Sequence, residues 1–189
     1  MTTLDFGCGR KKAPGAIGTD LRPLPGVDLV CDLAHFPYPF ATDSADCILL
    51  NHVLEHLDDP VAVLTELWRI IRSGGKLHIR VPHFTGRYSW SDPTHRRAFS
   101  SGSFAYFGGN HYDYYTQARF RVGALRLVYF LEPPPRRIYR AWGVLVQSLL
   151  NRHPTFFERY LAYLVGGIDE IQVTLEAVKN GTGSQLSRQ

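Results

Sequence analysis

The sequence predicts an α/β fold built on a largely parallel sheet, and three observations support this prediction. A short apolar strand at residues 4–6 runs directly into a glycine turn at Gly7 and Gly9. Residues 45–50 (ADCILL) form a near-continuous apolar run, which is typical of a strand buried on both faces of a parallel sheet. A helix and a further strand follow this run, and the order strand, helix, strand indicates an α/β sandwich.

The composition is that of an ordinary globular domain with a mild basic excess. The 189 residues are 44% hydrophobic and 20% charged, which fits one domain with a sizeable core. The formal net charge is +4 and the pI is about 9.0, and a solvated basic face is the simplest explanation of both. Because the basic residues are dispersed, we expect no nucleic-acid partner.

The cysteines indicate a reducing compartment. Cys8, Cys31 and Cys47 are odd in number, form no C-x-x-C motif and lie in or beside apolar runs. They therefore predict buried thiols rather than a disulfide framework. No signal peptide is recognisable and no apolar run is long enough to cross a bilayer, so the sequence predicts a cytoplasmic protein without a transmembrane segment.

Two further strands are predicted early in the chain, and each ends on an acidic residue. The first covers residues 16–20 and ends at Asp20, and the second covers residues 27–32 and ends at Asp32. The link at residues 10–15 is short for the crossover helix that parallel strands usually need. We expect either a helix of about one turn or a compact loop there.

The central helix has clear start and stop signals. Asp59 and Pro60 have the residue types of an N-cap and a first helical position. An apolar stripe at helical spacing follows, and Gly74 and Gly75 predict its end. Residues 76–81 (KLHIRV) then predict the next strand.

The second half of the chain is less regular. Residues 83–115 are rich in aromatics, His, Gly and Ser, and a loop of this length in a compact domain is usually functional or disordered; its aromatics favour an ordered, functional loop. Beyond it the sequence predicts a strand at 120–130, amphipathic helices within 138–165 with a Thr155–Glu158 capping box, a half-exposed strand at 170–178 and a disordered tail from 180.

Taken in order, these segments resemble the class I S-adenosylmethionine-dependent methyltransferases, and within them the type 11 methyltransferase domains. The segments that carry the resemblance are LDFGCG (4–9), GTD (18–20), CDL (31–33), NHVLEHL (51–57), the run 67–84, DPTHRRAF (92–99) and IDEIQVTLEAVK (168–179). The resemblance implies a Rossmann-like three-layer sandwich with a mostly parallel seven-stranded sheet and an antiparallel last strand. It also implies one domain over 1–179, with 83–115 and 133–168 as acceptor-side or lid insertions and a disordered tail at 180–189.

The same resemblance implies S-adenosyl-L-methionine as the cofactor and a set of residues that bind it. Asp20 matches the acid that receives both ribose hydroxyls, and Asp32 matches the carboxylate near the adenine amine. The full implied set is Asp5, Gly7, Gly9, Asp20, Leu21, Asp32, Leu33 and Asn51. The chain departs from the pattern in two places, because the usual third glycine is replaced and the first crossover is short.

Histidines are the candidate proton acceptors, since a base is needed only if the acceptor carries a proton at physiological pH. The candidates are His52, His56, His83 and His95. We favour His83 and His95 as catalytic residues, because the segment after the fifth strand should lie at the edge of the sheet where α/β ligands bind. No metal ligands are predicted.

The acceptor itself is not encoded in a recognisable motif. We expect an oxygen of a small molecule, a sugar or a lipid-linked precursor, and a monomer or homodimer. Two alternative functions remain. His52, Glu55 and His56 match the H-x-x-E-H motif of some zinc hydrolases, although His52 should leave a strand rather than share a helix with His56. A nicotinamide-dependent oxidoreductase is the other, although the G-x-G-x-x-G motif is absent.

Overall fold

A seven-stranded sheet forms the centre of the molecule. The computed structural model describes residues 1–108, 115–132 and 134–179, and the sheet order is β3-β2-β1-β4-β5-β7-β6. The strands are β1 (Thr3–Phe6), β2 (Ile17–Asp20), β3 (Leu29–Val30), β4 (Ala45–Asn51), β5 (Ile71–Pro82), β6 (Phe120–Val128) and β7 (Glu170–Ala177). Strands β1 to β5 pair in parallel, and β7 is antiparallel to both β5 and β6. The predicted α/β class, the mostly parallel sheet and its antiparallel last strand are confirmed.

Within the described residues, four α-helices accompany the sheet: α1 (Pro60–Ile70), α2 (Tyr88–Ser91), α3 (Arg137–Leu150) and α4 (Pro154–Tyr160). The predicted start of α1 is confirmed, because the Asp59 side chain accepts a hydrogen bond from the backbone N–H of Ala62. Its buried face contacts the sheet beside β5. In the described part of the chain, no helix is long and apolar enough to cross a membrane.

The predicted end of α1 at Gly74 and Gly75 is wrong. The helix ends at Ile70, and Ile71 is fully buried as the first residue of β5, where it pairs with Ala45. Gly74 lies in an irregular stretch of that strand with φ +77°. Burial of Ile71 in the sheet therefore outweighs the local preference for another helical turn.

The third strand is shorter than predicted. It covers only Leu29 and Val30, which form the exposed edge of the sheet beside β2. Asp28 and Cys31 on either side still hydrogen-bond to the backbone of β2 through their own N–H groups, at 2.9 Å each. Few hydrogen bonds therefore hold this edge strand, and the strand positions the residues that follow it.

The link between β1 and β2 is a compact loop, one of the two predicted alternatives. Residues 7–16, all of them described, contain turns and no helix. The Lys12 ammonium donates to Asp28 at 2.8 Å, and Asp5 accepts from the backbone N–H of Ala13 at 2.8 Å. These hydrogen bonds fix the conformation of the link, which has no crossover helix to stabilise it.

Strands β5 and β7 bury one face and leave the other half-buried or exposed, whereas β4 is largely buried on both faces, as predicted. Their inward side chains, such as Leu50, Ile79 and Val173, belong to the main hydrophobic core. On the opposite face, residues such as His78 and Gln172 line a groove of about 510 Å³. The alternation predicted for the last strand is therefore confirmed.

Candidate functional site

A cleft of about 240 Å³ lies at the carboxyl ends of the parallel strands. Such crevices are where α/β sheets bind their ligands. Most residues of the implied cofactor set line this cleft, namely Gly7, Asp20, Leu21, Asp32 and Leu33. The short strands β1, β2 and β3 bring these residues together although they are distributed over three separate turns.

The glycine turn is shaped so that only a residue without a side chain fits. Gly7 has φ +66°, and a Cβ atom built on it would lie 2.3 Å from the Cγ2 atom of Val53. Gly9 has φ +53°, with open space around its missing Cβ. The turn therefore exposes backbone to the cleft, which allows a ligand to lie directly against it.

Asp20 ends β2 and is half-buried at the cleft wall. Its Oδ2 atom accepts a hydrogen bond from the backbone N–H of Gly9 at 2.9 Å, and its Oδ1 atom accepts from the N–H of Arg22 at 3.1 Å. Each carboxylate oxygen has a second lone pair available for a ligand hydroxyl. Asp20 thus fixes the glycine turn and presents its carboxylate to the same space.

Asp32 follows β3 and stays ionised. The backbone N–H of Ala34 donates to its Oδ1 atom at 2.9 Å, and the His35 ring lies 2.8 Å from Oδ2. The Ala34 bond, together with His35, holds the pKa of Asp32 below its usual range. Beside it the buried side chain of Leu33 supplies an apolar wall.

Three residues of the implied set do not line the cleft. Asp5 is buried behind the turn, where burial raises its pKa and its carboxylate holds Ala13. Gly9 contributes through its bond to Asp20. Asn51 lines the groove on the opposite, exposed face of the sheet. Their predicted contact with the cofactor stays a prediction.

The segment after β4 supplies cleft residues that the sequence did not single out as cofactor contacts. His52, Val53, His56 and Leu57 all line the cleft. His52 has φ +55°, and its Nε2 atom lies 2.7 Å from Glu170. That carboxylate, with Glu55 nearby, raises the pKa of His52 to about 9. The clue in the sequence was their position, immediately after a buried strand.

His83, one of the two favoured bases, lies in a structural network. It is fully buried at the end of β5, with Nε2 2.8 Å from Glu158 and Nδ1 2.9 Å from the Thr85 hydroxyl. Ser101 also donates to Glu158, from both its N–H and its hydroxyl at 2.7 Å. A fully buried ring with both nitrogens engaged does not support a role as the base. The same network explains why the predicted Thr155–Glu158 capping box does not form.

His95, the other favoured base, lies next to the cleft residue His56. The two ring centroids are 4.7 Å apart. The Nε2 atom of His95 is 4.0 Å from Glu55, and its Nδ1 atom is 3.3 Å from the backbone oxygen of Ser89. The 83–115 segment thus reaches the cleft, although its residues 109–114 lie outside the described part.

The H-x-x-E-H segment has no helical geometry that would pair its two histidines. His52 lies in a left-handed conformation after β4, and Leu54–His56 form a single 3₁₀ turn. The motif of a zinc hydrolase requires both imidazoles on one face of a longer helix. This geometry does not support the hydrolase alternative.

Comparison with solved structures identifies the class of fold. A SAM-dependent methyltransferase from Archaeoglobus fulgidus superposes with a TM-score of 0.59 at 16% identity, over 93% of this chain and 85% of that chain. The YcgJ protein from Bacillus subtilis gives a TM-score of 0.57 at 15% identity, over 95% and 92% of the two chains. Geranyl diphosphate C-methyltransferase from Streptomyces coelicolor gives 0.56 at 15% identity, over 94% and 73%. No curated protein matches the sequence.

The family comparison agrees with the fold. Residues 4–79, which contain β1 to β4, α1 and most of β5, match the family described as Methyltransferase domain. Residues 4–79 are thus similar to the Methyltransferase domain family, and the fold around them is one shared with SAM-dependent methyltransferases. The resemblance stated from the sequence is therefore confirmed.

Proposed function

We propose that the protein methylates an oxygen of a small molecule, a sugar or a lipid-linked precursor. The observation that carries the proposal is the cleft in which Asp20 and Asp32 present carboxylates beside the bare backbone of Gly7. When bound, S-adenosylmethionine supplies a methyl group on a positively charged sulfur. The protein's task is then mainly to align an acceptor atom with that methyl group.

The residues present fit this cofactor. Gly7 presents bare backbone to the cleft, and its missing Cβ lets Val53 pack against the turn. Asp20 offers two carboxylate oxygens to paired hydroxyls, and the ionised Asp32 accepts from an amine while Leu33 contacts a flat ring. The cleft therefore offers carboxylate acceptors to the hydroxyl and amine donors of a nucleoside.

The histidines at the far side of the cleft support an acceptor that carries a proton. His56 lines the cleft and the ring of His95 contacts the ring of His56. Two imidazoles are therefore available to an acceptor hydroxyl that approaches from this side. Imidazole is the side chain best suited to exchange a proton near neutral pH. His83 lies outside this arrangement and is not included.

A small acceptor agrees with one of the similar structures, geranyl diphosphate C-methyltransferase, which was solved in complex with geranyl diphosphate. The three cysteines of this chain are buried free thiols, which supports a cytoplasmic location. We propose a monomer or homodimer, and a screen of acceptors with labelled cofactor would identify the substrate.

Calorimetric titration with S-adenosylhomocysteine tests the cofactor site. We expect Asp20→Ala to weaken binding about 10- to 100-fold, because hydrogen bonds to a charged group contribute roughly 1.5–3 kcal/mol. Glu176→Ala, on an exposed and distant pair with Arg121, should leave the affinity unchanged. Binding of NAD instead, or undiminished binding by Asp20→Ala, would contradict the proposal. Asp20→Asn keeps one oxygen for the Gly9 N–H and separates loss of the ligand contact from loss of the turn.

A further inference from the structure

Three ligand-type side chains converge beside the cofactor cleft. Glu55, His56 and His95 each place one ligating atom within 4.8 Å of the other two. Glu55 and His56 come from the 3₁₀ turn after β4, and His95 comes from the 83–115 segment. The two parts of the chain are held together by the backbone N–H of Arg96, which donates to the backbone oxygen of Glu55 at 2.8 Å.

Glu55 is buried without a hydrogen-bond donor. Its side chain is fully buried, and neither carboxylate oxygen has a hydrogen-bond partner among the described residues. The nearest charged group is His52, whose Nδ1 atom lies 3.4 Å from Oε1 without hydrogen-bond geometry. Burial of a carboxylate without donors is unfavourable, because the group loses its hydrogen bonds to water and forms none in their place. The His52 ring supplies charge nearby but no hydrogen bond, so both oxygens remain available to a ligand that bonds to them directly.

Among the described residues, Nε2 of each histidine has no hydrogen-bond partner, although the Asp92 carboxylate lies 3.9 Å from Nε2 of His95. The Nδ1 atom of His95 is bonded to the backbone oxygen of Ser89, which can only accept, so Nδ1 carries the proton. The Thr94 hydroxyl lies 2.7 Å from the Asp92 carboxylate and donates to it, so its oxygen accepts from Nδ1 of His56 at 3.0 Å. In the neutral rings both Nε2 atoms therefore carry lone pairs. Protein metal sites fix their histidine ligands in this way.

We propose that Glu55, His56 and His95 bind one divalent first-row transition-metal ion, with zinc as the best match to two imidazoles and one carboxylate. This is the donor set of zinc sites that keep a fourth position open. Ligands of tetrahedral zinc stand roughly 3.3 Å apart, so the side chains close by on the order of 1–2 Å on binding. The carboxylate gains the direct bonding partner it lacks, and the ion lies beside His56 at the cleft wall.

The three side chains border the cofactor cleft through His56. An ion held by them could ligate an oxygen of the acceptor and orient it beside that cleft. This role rests on the proposed function, whereas binding of the ion does not. With the ion bound, His56 and His95 serve as its ligands instead of exchanging a proton with the acceptor, and they position the acceptor through the metal.

Metal titration of the full-length protein tests the proposal. After treatment with a chelator and dialysis, we expect one equivalent of Zn²⁺ to bind by calorimetry, and Co²⁺ to give the visible absorption of a low-coordinate site. Mg²⁺ at the same concentrations should not compete, because it prefers oxygen ligands. Glu55→Gln, His56→Asn and His95→Asn should each weaken Zn²⁺ binding by on the order of 100-fold. His153→Asn, at an exposed residue that makes no capping bond, is the matched control and should bind as the wild type does.

Binding of S-adenosylhomocysteine by the same variants separates the two proposals. Variants that still bind it while losing zinc support the metal site and show that the cofactor cleft is intact. Absence of stoichiometric Zn²⁺ or Co²⁺ binding by the wild type would overturn the metal site. So would unchanged affinity in both histidine variants. If the wild type does not bind S-adenosylhomocysteine, the proposed function is contradicted, whereas the result on metal binding remains valid.

Discussion

Gly7 faces Val53 at the closest approach between the glycine turn and the segment after β4. We expect Gly7→Ala to destabilise the fold by about 3 kcal/mol or more, because it adds a clash 2.3 Å from Val53 to the cost of a positive φ. Urea unfolding would measure the change. Gly9→Ala is the matched control, since Gly9 has a similar φ with nothing within 4 Å, and it should cost only about 1 kcal/mol.

A second variant separates the two causes at Gly7. Gly7→Ala combined with Val53→Ala removes the methyl group that clashes, so part of the lost stability should return. Equal effects of Gly7→Ala and Gly9→Ala would show that Val53 does not restrict the turn.

At the scale of single residues, the sequence predicted which residues meet in the cleft better than it predicted the surroundings of the histidines. Asp20 ends β2 and Asp32 closely follows β3, and the carboxyl ends of neighbouring parallel strands meet at one edge. His83 could not be assigned in this way, because its partner Glu158 lies 75 residues further along the chain. No local pattern reveals such a pairing.

Among the elements, α4 is joined to the end of β5 through Glu158. Burial raises the pKa of this carboxyl, but hydrogen bonds from His83 and Ser101 outweigh it and hold the pKa below its usual range. The ionised group therefore stabilises the fold above about pH 4.3, where the unfolded chain titrates, and this stabilisation is lost as the pH falls through the lower folded value.

Glu158→Gln tests this dependence. At pH 5 the variant should be less stable than the wild type by about 1–3 kcal/mol, and the difference should shrink between pH 5 and pH 3. Chemical denaturation at a series of pH values measures it. Glu176→Gln, on an exposed pair with Arg121, should show little difference throughout. A difference that grows on acidification would contradict the assignment.

Element boundaries were predictable where local chemistry determines them. Asp59 caps α1 as its sequence indicates. The end of α1 was not predictable, because Ile71 leaves the helix to pair with Ala45 of β4, some 26 residues earlier. The loop between β1 and β2 is likewise fixed by Lys12 and Asp28, which lie 16 residues apart. Contacts between distant residues decided each case that the sequence missed.

At the scale of the whole molecule, the prediction of a single domain over 1–179 requires the hydrophobic core to unfold in one cooperative transition. Ile79 is buried in β5 between β4 and β7, so Ile79→Ala should cost about 2–5 kcal/mol. Leu145→Ala, at an exposed position of α3, should stay within about 0.5 kcal/mol.

Urea unfolding, monitored by circular dichroism and by tryptophan fluorescence, tests whether the domain unfolds cooperatively. The tryptophans at 68, 90 and 142 lie in α1, α2 and α3, so the probes sample distant parts of the fold. Their transitions should coincide, and Ile79→Ala should shift both equally. A separate transition for Trp142 would show that the 133–168 insertion unfolds independently.

The position of β7 sets a condition on how the sheet is assembled. It is the last strand of the described residues, yet it lies between β5 and β6 and supplies the pairing of β6. While the ribosome is still translating the residues before it, β6 has no strand to join and β5 presents an open edge. Pairing across such a long separation is slow, and open strand edges invite aggregation. The nascent chain thus passes through a vulnerable interval that ends only when residues 170–177 emerge.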